Sequence, residues 1–295
     1  MSLLKKGDTV AFVAPSSFVK KDDITEAVEY FKQLGLKAKL AENITQQYRY
    51  MAGSDKKRAQ TINKMFADKN VKALVCVRGG AGSTRILPYL DYDIIKSNKK
   101  PIIGLSDSTG IQNALVSLSS LEAYTGYLAA YKPKQNSADS KSGKYLQSIL
   151  FDNKHKIDGG KCLVKGEANG KIIGGNLSVL CYLCGTKYFP SLKNKILLIE
   201  DVGEKTYKID LMLNQLKQQK DFEKLKGIII GQFSDCKIAS ETDGTIDDCI
   251  KDFIEGLKIP TIYGFEYGHI NHSQILPLGV KVNMVSDDKK CSISW

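Results

Sequence analysis

Residues 103–110 read Ile-Gly-Leu-Ser-Asp-Ser-Thr-Gly and place a serine where an apolar run passes into a helical one. A hydroxyl at such a junction is lifted above the sheet, where nearby amides and the helix N-terminus favour developing negative charge. Ser106 is therefore a candidate nucleophile in a variant of the nucleophile elbow, with Ser108 in place of the usual second glycine. A plain helix cap is the competing reading of the same serine. Residues 78–82, Arg-Gly-Gly-Ala-Gly, also follow an apolar run. Glycines there let backbone amides point into a site as an oxyanion hole or an anion nest, or simply make a tight turn. The lysine and Ser/Thr of a phosphate loop are missing, and a dinucleotide fingerprint is incomplete.

A serine hydroxyl needs a neighbouring imidazole to take its proton near neutral pH. The chain has three histidines. His155 sits in a polar stretch, whereas His269 and His272 follow a strand-like run in Tyr-Gly-His-Ile-Asn-His-Ser, 267–273. The imidazole in turn needs an acceptor that holds its tautomer. Glu200 and Asp201, ending the apolar run 195–199, are the second-half candidates; strand-end carboxylates also serve as caps or surface groups. A Cys181-Tyr-Leu-Cys184 pair exists, but no second pair with zinc spacing accompanies it, so no metal site is expected.

These residues need a scaffold, and the first half supplies a βαβ pattern of short apolar runs alternating with amphipathic segments. Strands are predicted at 9–14, 73–77 and 102–105, with a short one at 38–40. Helices fit 23–34, with Ile24, Val28, Phe31 and Leu34 on one face, and 54–66, with Ser54 as N-cap. The expectation is an open, mostly parallel sheet with flanking helices, whose ligands bind beyond the carboxyl ends of the strands. That edge carries 78–82 and 106–109.

A polar, Gly/Ser-containing stretch suggests a connection at 133–160 between an N-terminal domain, 1–132, and a C-terminal domain, 161–295. The second domain reads as α/β and richer in extended structure, with a barrel-like arrangement open to it. It has strands near 195–199, 227–231, 261–265 and 278–285. One helix starts at 208 with Ile209, Met212, Leu213 and Leu216 on one face, and another carries Ile246, Ile250, Phe253, Ile254 and Leu257.

The bulk composition narrows the function class. With 42% hydrophobic and 25% charged residues, the 295-residue chain falls among ordinary globular proteins. No run approaches the roughly 20 apolar residues of a membrane span. The formal charge of +11 is scattered over turns and helix faces rather than gathered in a basic arm, so nucleic acid is not an expected partner. Seven cysteines, mostly in apolar runs, favour a reducing compartment. The first eight residues lack a separate apolar segment and cleavage site, which predicts a cytoplasmic chain, or a periplasmic one if a leader was removed.

Ordered blocks at 7–16, 78–85, 104–107, 174–177, 199–204, 268–269 and 276–279 make the sequence resemble the LD-carboxypeptidase family over nearly its whole length. That family includes murein tetrapeptide carboxypeptidases and microcin C self-immunity peptidases. The resemblance implies a Ser-His-Glu triad across two domains, carried by motif position onto Ser106, His269 and Glu200; His272 has no counterpart. It also implies an oxyanion hole of backbone amides at Gly80 and Asp107, a homodimer, and no metal or organic cofactor. The implied reaction releases terminal D-alanine from a muropeptide tetrapeptide in peptidoglycan recycling. The substrate's terminal carboxylate is assigned to Arg78, from its charge alone, or to a nearby backbone nest.

Three positions depart from the family pattern. Ala81 stands where tyrosine is frequent, Thr125-Gly-Tyr127 where His-Gly-Pro is common, and Leu211 where arginine often precedes Met212-Leu213. A microcin-immunity-like peptidase acting on peptidyl or aminoacyl nucleotides is the rival within the same chemistry. From another class, a non-catalytic two-domain protein holding an anionic ligand has no need for a serine, a histidine and a carboxylate.

Overall fold

The computed structural model describes residues 2–130, 140–240 and 242–295; part of the expected connection, 133–139, lies outside them. The chain divides into two compact units. One is Met1–His155 with Gln274–Gly279, and the other is Lys156–Ser273 with Val280–Trp295.

The first unit runs β1 (Thr9–Val13), α1 (Lys21–Gln33), β2 (Lys37–Leu40), α2 (Asp55–Ala67), β3 (Val71–Cys76), α3 (Ser83–Ile86), α4 (Tyr92–Ser97), β4 (Ile102–Gly104), α5 (Ser108–Ser119), β5 (Ala123–Thr125) and α6 (Lys141–Phe151). Five of its strands are parallel in the order β5-β4-β3-β1-β2. The continuous buried runs of β1, β3 and β4 are those of a sheet covered on both faces. Helix α1 turns Ile24, Ala27, Tyr30 and Phe31 inward, and Phe31 meets Phe12 of β1 edge to face at 5.0 Å. Ser54 caps α2 by accepting from the Lys57 amide at 3.3 Å. Neighbouring strands β4, β3 and β1 are parallel, so the segments after them, around 106, 78–82 and 15–17, leave the sheet at one edge.

The unit boundaries differ from a simple division at 133–160. Helix α6 and the residues up to His155 join the first unit because buried Leu146, Ile149 and Leu150 pack there, with the Leu4 amide donating to the Leu150 carbonyl at 2.9 Å. Residues 274–279, expected within the second domain, also belong to the first unit. Their strand Leu276–Leu278 pairs antiparallel with β5 as an edge strand, a position that tolerates Pro277.

The second unit runs β6 (Lys156–Asp158), β7 (Lys161–Val164), β8 (Gly166–Asn176), α7 (Leu177–Cys181), β9 (Lys195–Val202), α8 (Thr206–Lys217), β10 (Gly227–Ser234), α9 (Ile246–Ile254) and β11 (Thr261–Tyr263). With Leu276–Leu278 counted as β12, it ends in β13 (Lys281–Ser286) and β14 (Ser292–Ser294). Its sheet has the order β6-β14-β13-β8-β9-β10-β11-β7, parallel from β8 to β11 and antiparallel outside them. The ladder ends on β6 and β7 and does not close into a barrel among the described residues. Alternating side chains of β9 and β10 explain its core: Leu197, Ile199, Ile228 and Ile230 pack with Ile209, Leu213 and Leu216 of α8 and with Ile250 and Phe253 of α9. A reciprocal Thr245–Asp248 capping box starts α9. Among the described residues no helix is long and apolar enough to cross a membrane.

Candidate active site

In the first unit, Ser106 sits between the end of β4 and the start of α5 with φ +65°. A non-glycine residue in this region costs about 1–2 kcal/mol, so the surroundings must impose it. Ser106 is partly exposed, while its neighbours Leu105 and Asp107 are buried. The cap position of α5 falls to Asp107, so the turn does not use Ser106 as a helix cap. The twelve-residue α5 begins two residues after the hydroxyl, which sets a positive helix end beside it.

The glycine loop lies directly against this serine. A Cβ added to Gly79 would come within 2.8 Å of Ser106 Cβ and 2.9 Å of its Oγ, so only glycine fits there. Gly80 and Gly82 adopt φ +103° and +113°, the left-handed conformation that suits glycine. Among the described residues, neither the Gly80 amide nor the Asp107 amide donates a hydrogen bond. Both are partners of the kind a developing oxyanion requires. Arg78 is exposed and donates from Nη1 to the Phe18 carbonyl at 3.3 Å.

In the second unit, Glu200 lies near the end of β9 and is fully buried. Its Oε2 stands 2.8 Å from His269 Nδ1 and also accepts from the His269 amide at 3.2 Å. Asn176, at the end of the paired strand β8, donates to Oε1 at 3.2 Å. Gly268 makes the approach possible, since a Cβ there would fall 2.8 Å from Glu200 Oε2, and its φ is +128°. Burial works against a charge on the 10%-exposed His269 ring, but the hydrogen bond and charge of Glu200, helped by Asp201, prevail and raise its pKa above the usual value. With Nδ1 held by the carboxylate, Nε2 is the ring nitrogen left for proton exchange.

Asp201 has a different task. Its Oδ2 accepts from the Ser178 amide at 2.8 Å and from the Ser178 hydroxyl, and its Oδ1 accepts from Asn176 at 3.0 Å and the Val202 amide at 2.8 Å. It thus ties down the start of α7, and burial raises its pKa despite these bonds. Successive strand residues point to opposite faces, which is why only one of the two adjacent acids reaches the histidine. His272 is exposed and His155 half-buried. Among the described residues no three His, Cys, Asp or Glu side chains are grouped to hold a metal ion.

The structure therefore groups Ser106, Gly80, Asp107 and Arg78 in the first unit and pairs Glu200 with His269 in the second. The sequence gives Gly79, Gly268 and Asn176 no individual role. All three lie in the ordered blocks 78–85, 268–269 and 174–177 that carry the resemblance, which is the signal that marks them.

Comparison with known proteins assigns the two parts of the chain to two domains of one family. The family model of the LD-carboxypeptidase N-terminal domain matches residues 10–126, and that of the C-terminal domain matches 169–284. The chain is 32% identical to the probable murein peptide carboxypeptidase of Bacillus subtilis, over 98% of this chain and 92% of the relative. It is 27% identical to the murein tetrapeptide carboxypeptidase of Pseudomonas aeruginosa, over 92% of this chain and 91% of that one. The crystal structure of an MccF-like protein from Bacillus anthracis superimposes with a TM-score of 0.89 at 30% identity, covering 99% of this chain and 97% of the other.

Proposed function

Because the chain belongs to the LD-carboxypeptidase family, we propose that it is a serine-type carboxypeptidase releasing terminal D-alanine from muropeptide tetrapeptides. Ser106 is the nucleophile, His269 the base and Glu200 the group that orients it. The observation that carries this reading is the 2.8 Å bond from His269 Nδ1 to a fully buried Glu200, which dedicates Nε2 to proton transfer.

In this mechanism His269 Nε2 takes the Ser106 hydroxyl proton as Oγ attacks the carbonyl of the L,D-amide bond. The carbonyl oxygen becomes an oxyanion and accepts from the Gly80 and Asp107 amides. The imidazolium then forming is stabilised by Glu200, in keeping with the raised His269 pKa. Collapse breaks the C–N bond, and His269 returns its proton to the departing D-alanine amine. Water, deprotonated by His269, attacks the acyl-enzyme and frees Ser106. Arg78 receives the substrate's terminal carboxylate, and the +11 charge favours so acidic a peptide.

The reading includes a homodimer and a place in peptidoglycan recycling, as the family resemblance implies. Seven free thiols support a cytoplasmic, reducing setting. The decisive experiment incubates the protein with L-Ala-γ-D-Glu-diaminopimelate-D-Ala and follows free D-alanine by mass spectrometry, with Ser106→Ala beside it. Release by the parent and its loss in the variant are expected; equal release by both would remove Ser106 from the mechanism. The likeness to an MccF-like protein keeps a second substrate in view. Hydrolysis of an aminoacyl-sulfamoyl adenylate in preference to the tetrapeptide would reassign the substrate without changing the chemistry.

A further inference from the structure

Two dipeptides flank the serine turn within the first unit: Pro15-Ser16, after β1, and Gly82-Ser83, at the end of the glycine loop. Each is held from two sides. The Asp107 carboxylate takes the second residue of both, accepting from Ser16 Oγ at 2.5 Å and from the Ser83 amide at 2.7 Å through the same Oδ2. The Ser83 hydroxyl adds a bond to the Asp107 carbonyl. Arg58 of α2 takes the first residue of both, donating from Nη1 to the Gly82 carbonyl at 2.8 Å and to the Pro15 carbonyl.

Arg58 is fully buried, which is uncommon for an arginine and is sustained here by specific partners. Its Nη2 meets Asp55 Oδ1 at 2.5 Å, and Nε donates to the Gly53 carbonyl at 3.3 Å. Asp55 is itself bound by Arg85, through Nε at 3.0 Å and Nη2 at 2.7 Å. A guanidinium offers fixed, diverging donors that a lysine does not reproduce. The Ser17 amide adds a further tie between the two loops, donating to the Gly79 carbonyl at 3.2 Å.

Resting on the serine-peptidase reading above, we infer that Arg58 and the Asp107 carboxylate are positioning residues that lock the Gly80 amide in register with the Ser106–Asp107 turn. Neither side chain touches substrate in this role. They act through the backbone, by fixing where the two oxyanion donors stand before the reaction begins. Such preorganisation matters because donors that must reorient during attack lose most of their value.

The test uses a fluorophosphonate, which phosphonylates an activated serine with loss of fluoride and leaves a phosphoryl oxygen in the oxyanion site. The full chain and the variants Arg58→Lys, Asp107→Asn and Ser83→Ala are compared for labelling rate, kcat and KM on the tetrapeptide, and folding by near-UV circular dichroism. Folded variants are expected to label and turn over about 10- to 100-fold more slowly, with KM within threefold of the parent, as an ångström-scale misplacement produces. Asp107→Asn exchanges one carboxylate oxygen only and carries the test if Arg58→Lys does not fold, while Ser83→Ala removes the neighbouring tie to the Asp107 carbonyl. Labelling of the parent at Ser106 with unchanged rates in the folded variants overturns the positioning role alone. No labelling of Ser106 in the parent overturns the nucleophile assignment and this inference with it.

Discussion

The serine turn of the first unit and the Glu200–His269 pair of the second are built by opposite means. In the proposed mechanism the backbone does the chemistry around Ser106: a strained φ of +65°, unspent amides at Gly80 and Asp107, and a glycine wall at Gly79. Around His269 the side chains do it, with a buried carboxylate holding one ring nitrogen and Asn176 holding the carboxylate. The difference follows from charge. Negative charge that appears only during the reaction is best met by fixed dipoles. A tautomer and a transient positive charge need a permanent anion at a fixed distance.

Removing each chemical group tests the contrast most severely. Ser106→Ala is expected to cut kcat about 10⁵- to 10⁶-fold, read as D-alanine release. Glu200→Gln keeps the shape but loses the charge and should cost about 10⁴-fold. Asp201→Asn should leave kcat within a few-fold while lowering stability by about 1–3 kcal/mol in urea unfolding, because an amide leaves one acceptor oxygen where the carboxylate takes four donors. Equal kinetic losses in the two acid variants would erase the division of labour between these neighbours.

A gentler probe fills the space that each glycine leaves. Gly79→Ala presses on Ser106 and Gly268→Ala on Glu200, and each should lower kcat by roughly 10²-fold. Gly268→Ala should also move the pH profile of kcat/KM, since it disturbs the carboxylate that sets the His269 pKa; Gly79→Ala should not. A shift in both or in neither would mean the two regions are not separable in this way.

The pH profile separates activity from stability. Activity needs the neutral imidazole, so kcat/KM should rise with pH through a midpoint above 6.5 and shift to lower pH in Glu200→Gln. Stability runs the other way. A folded pKa raised above an unfolded value of about 6.5 means the native state holds the proton more tightly. That contribution is full below the unfolded pKa and is lost as pH rises through the folded one. Urea unfolding of the parent and Glu200→Gln across this range reads the difference, which should shrink as pH rises. The smallest effect is expected far from either region: Thr245→Ala breaks the capping box of α9, costing about 1 kcal/mol with activity unchanged.

Local pattern was enough to locate the serine turn, because strand, turn and helix follow one another within eight residues and their periodicities differ. The Ser54 cap is read the same way, and so in large part are the inner faces of α1 and α8, although Ala27 and Tyr30 turn inward while Val28 and Met212 stay half-buried. The resemblance, carried by short blocks in order, named His269 and Glu200 by motif position. Between Glu200 and Asp201 the residues themselves offered no choice, since both are carboxylates at one strand end. The face of β9 that each presents, and Gly268 arriving from 68 residues later, make the distinction. Arg58 was invisible in a run of Asp-Lys-Lys-Arg that reads as a solvated helix face. Its burial comes from carbonyls at 15, 53 and 82, and no local spacing encodes the meeting of such distant segments. The return of 274–279 to the first sheet is likewise a matter of pairing between remote strands. The sequence by itself therefore determined the elements and the chemical groups at their ends. Tertiary structure decided which acid holds the histidine and which buried charge steadies the loops, because hydrogen bonding depends on distance in space and not along the chain.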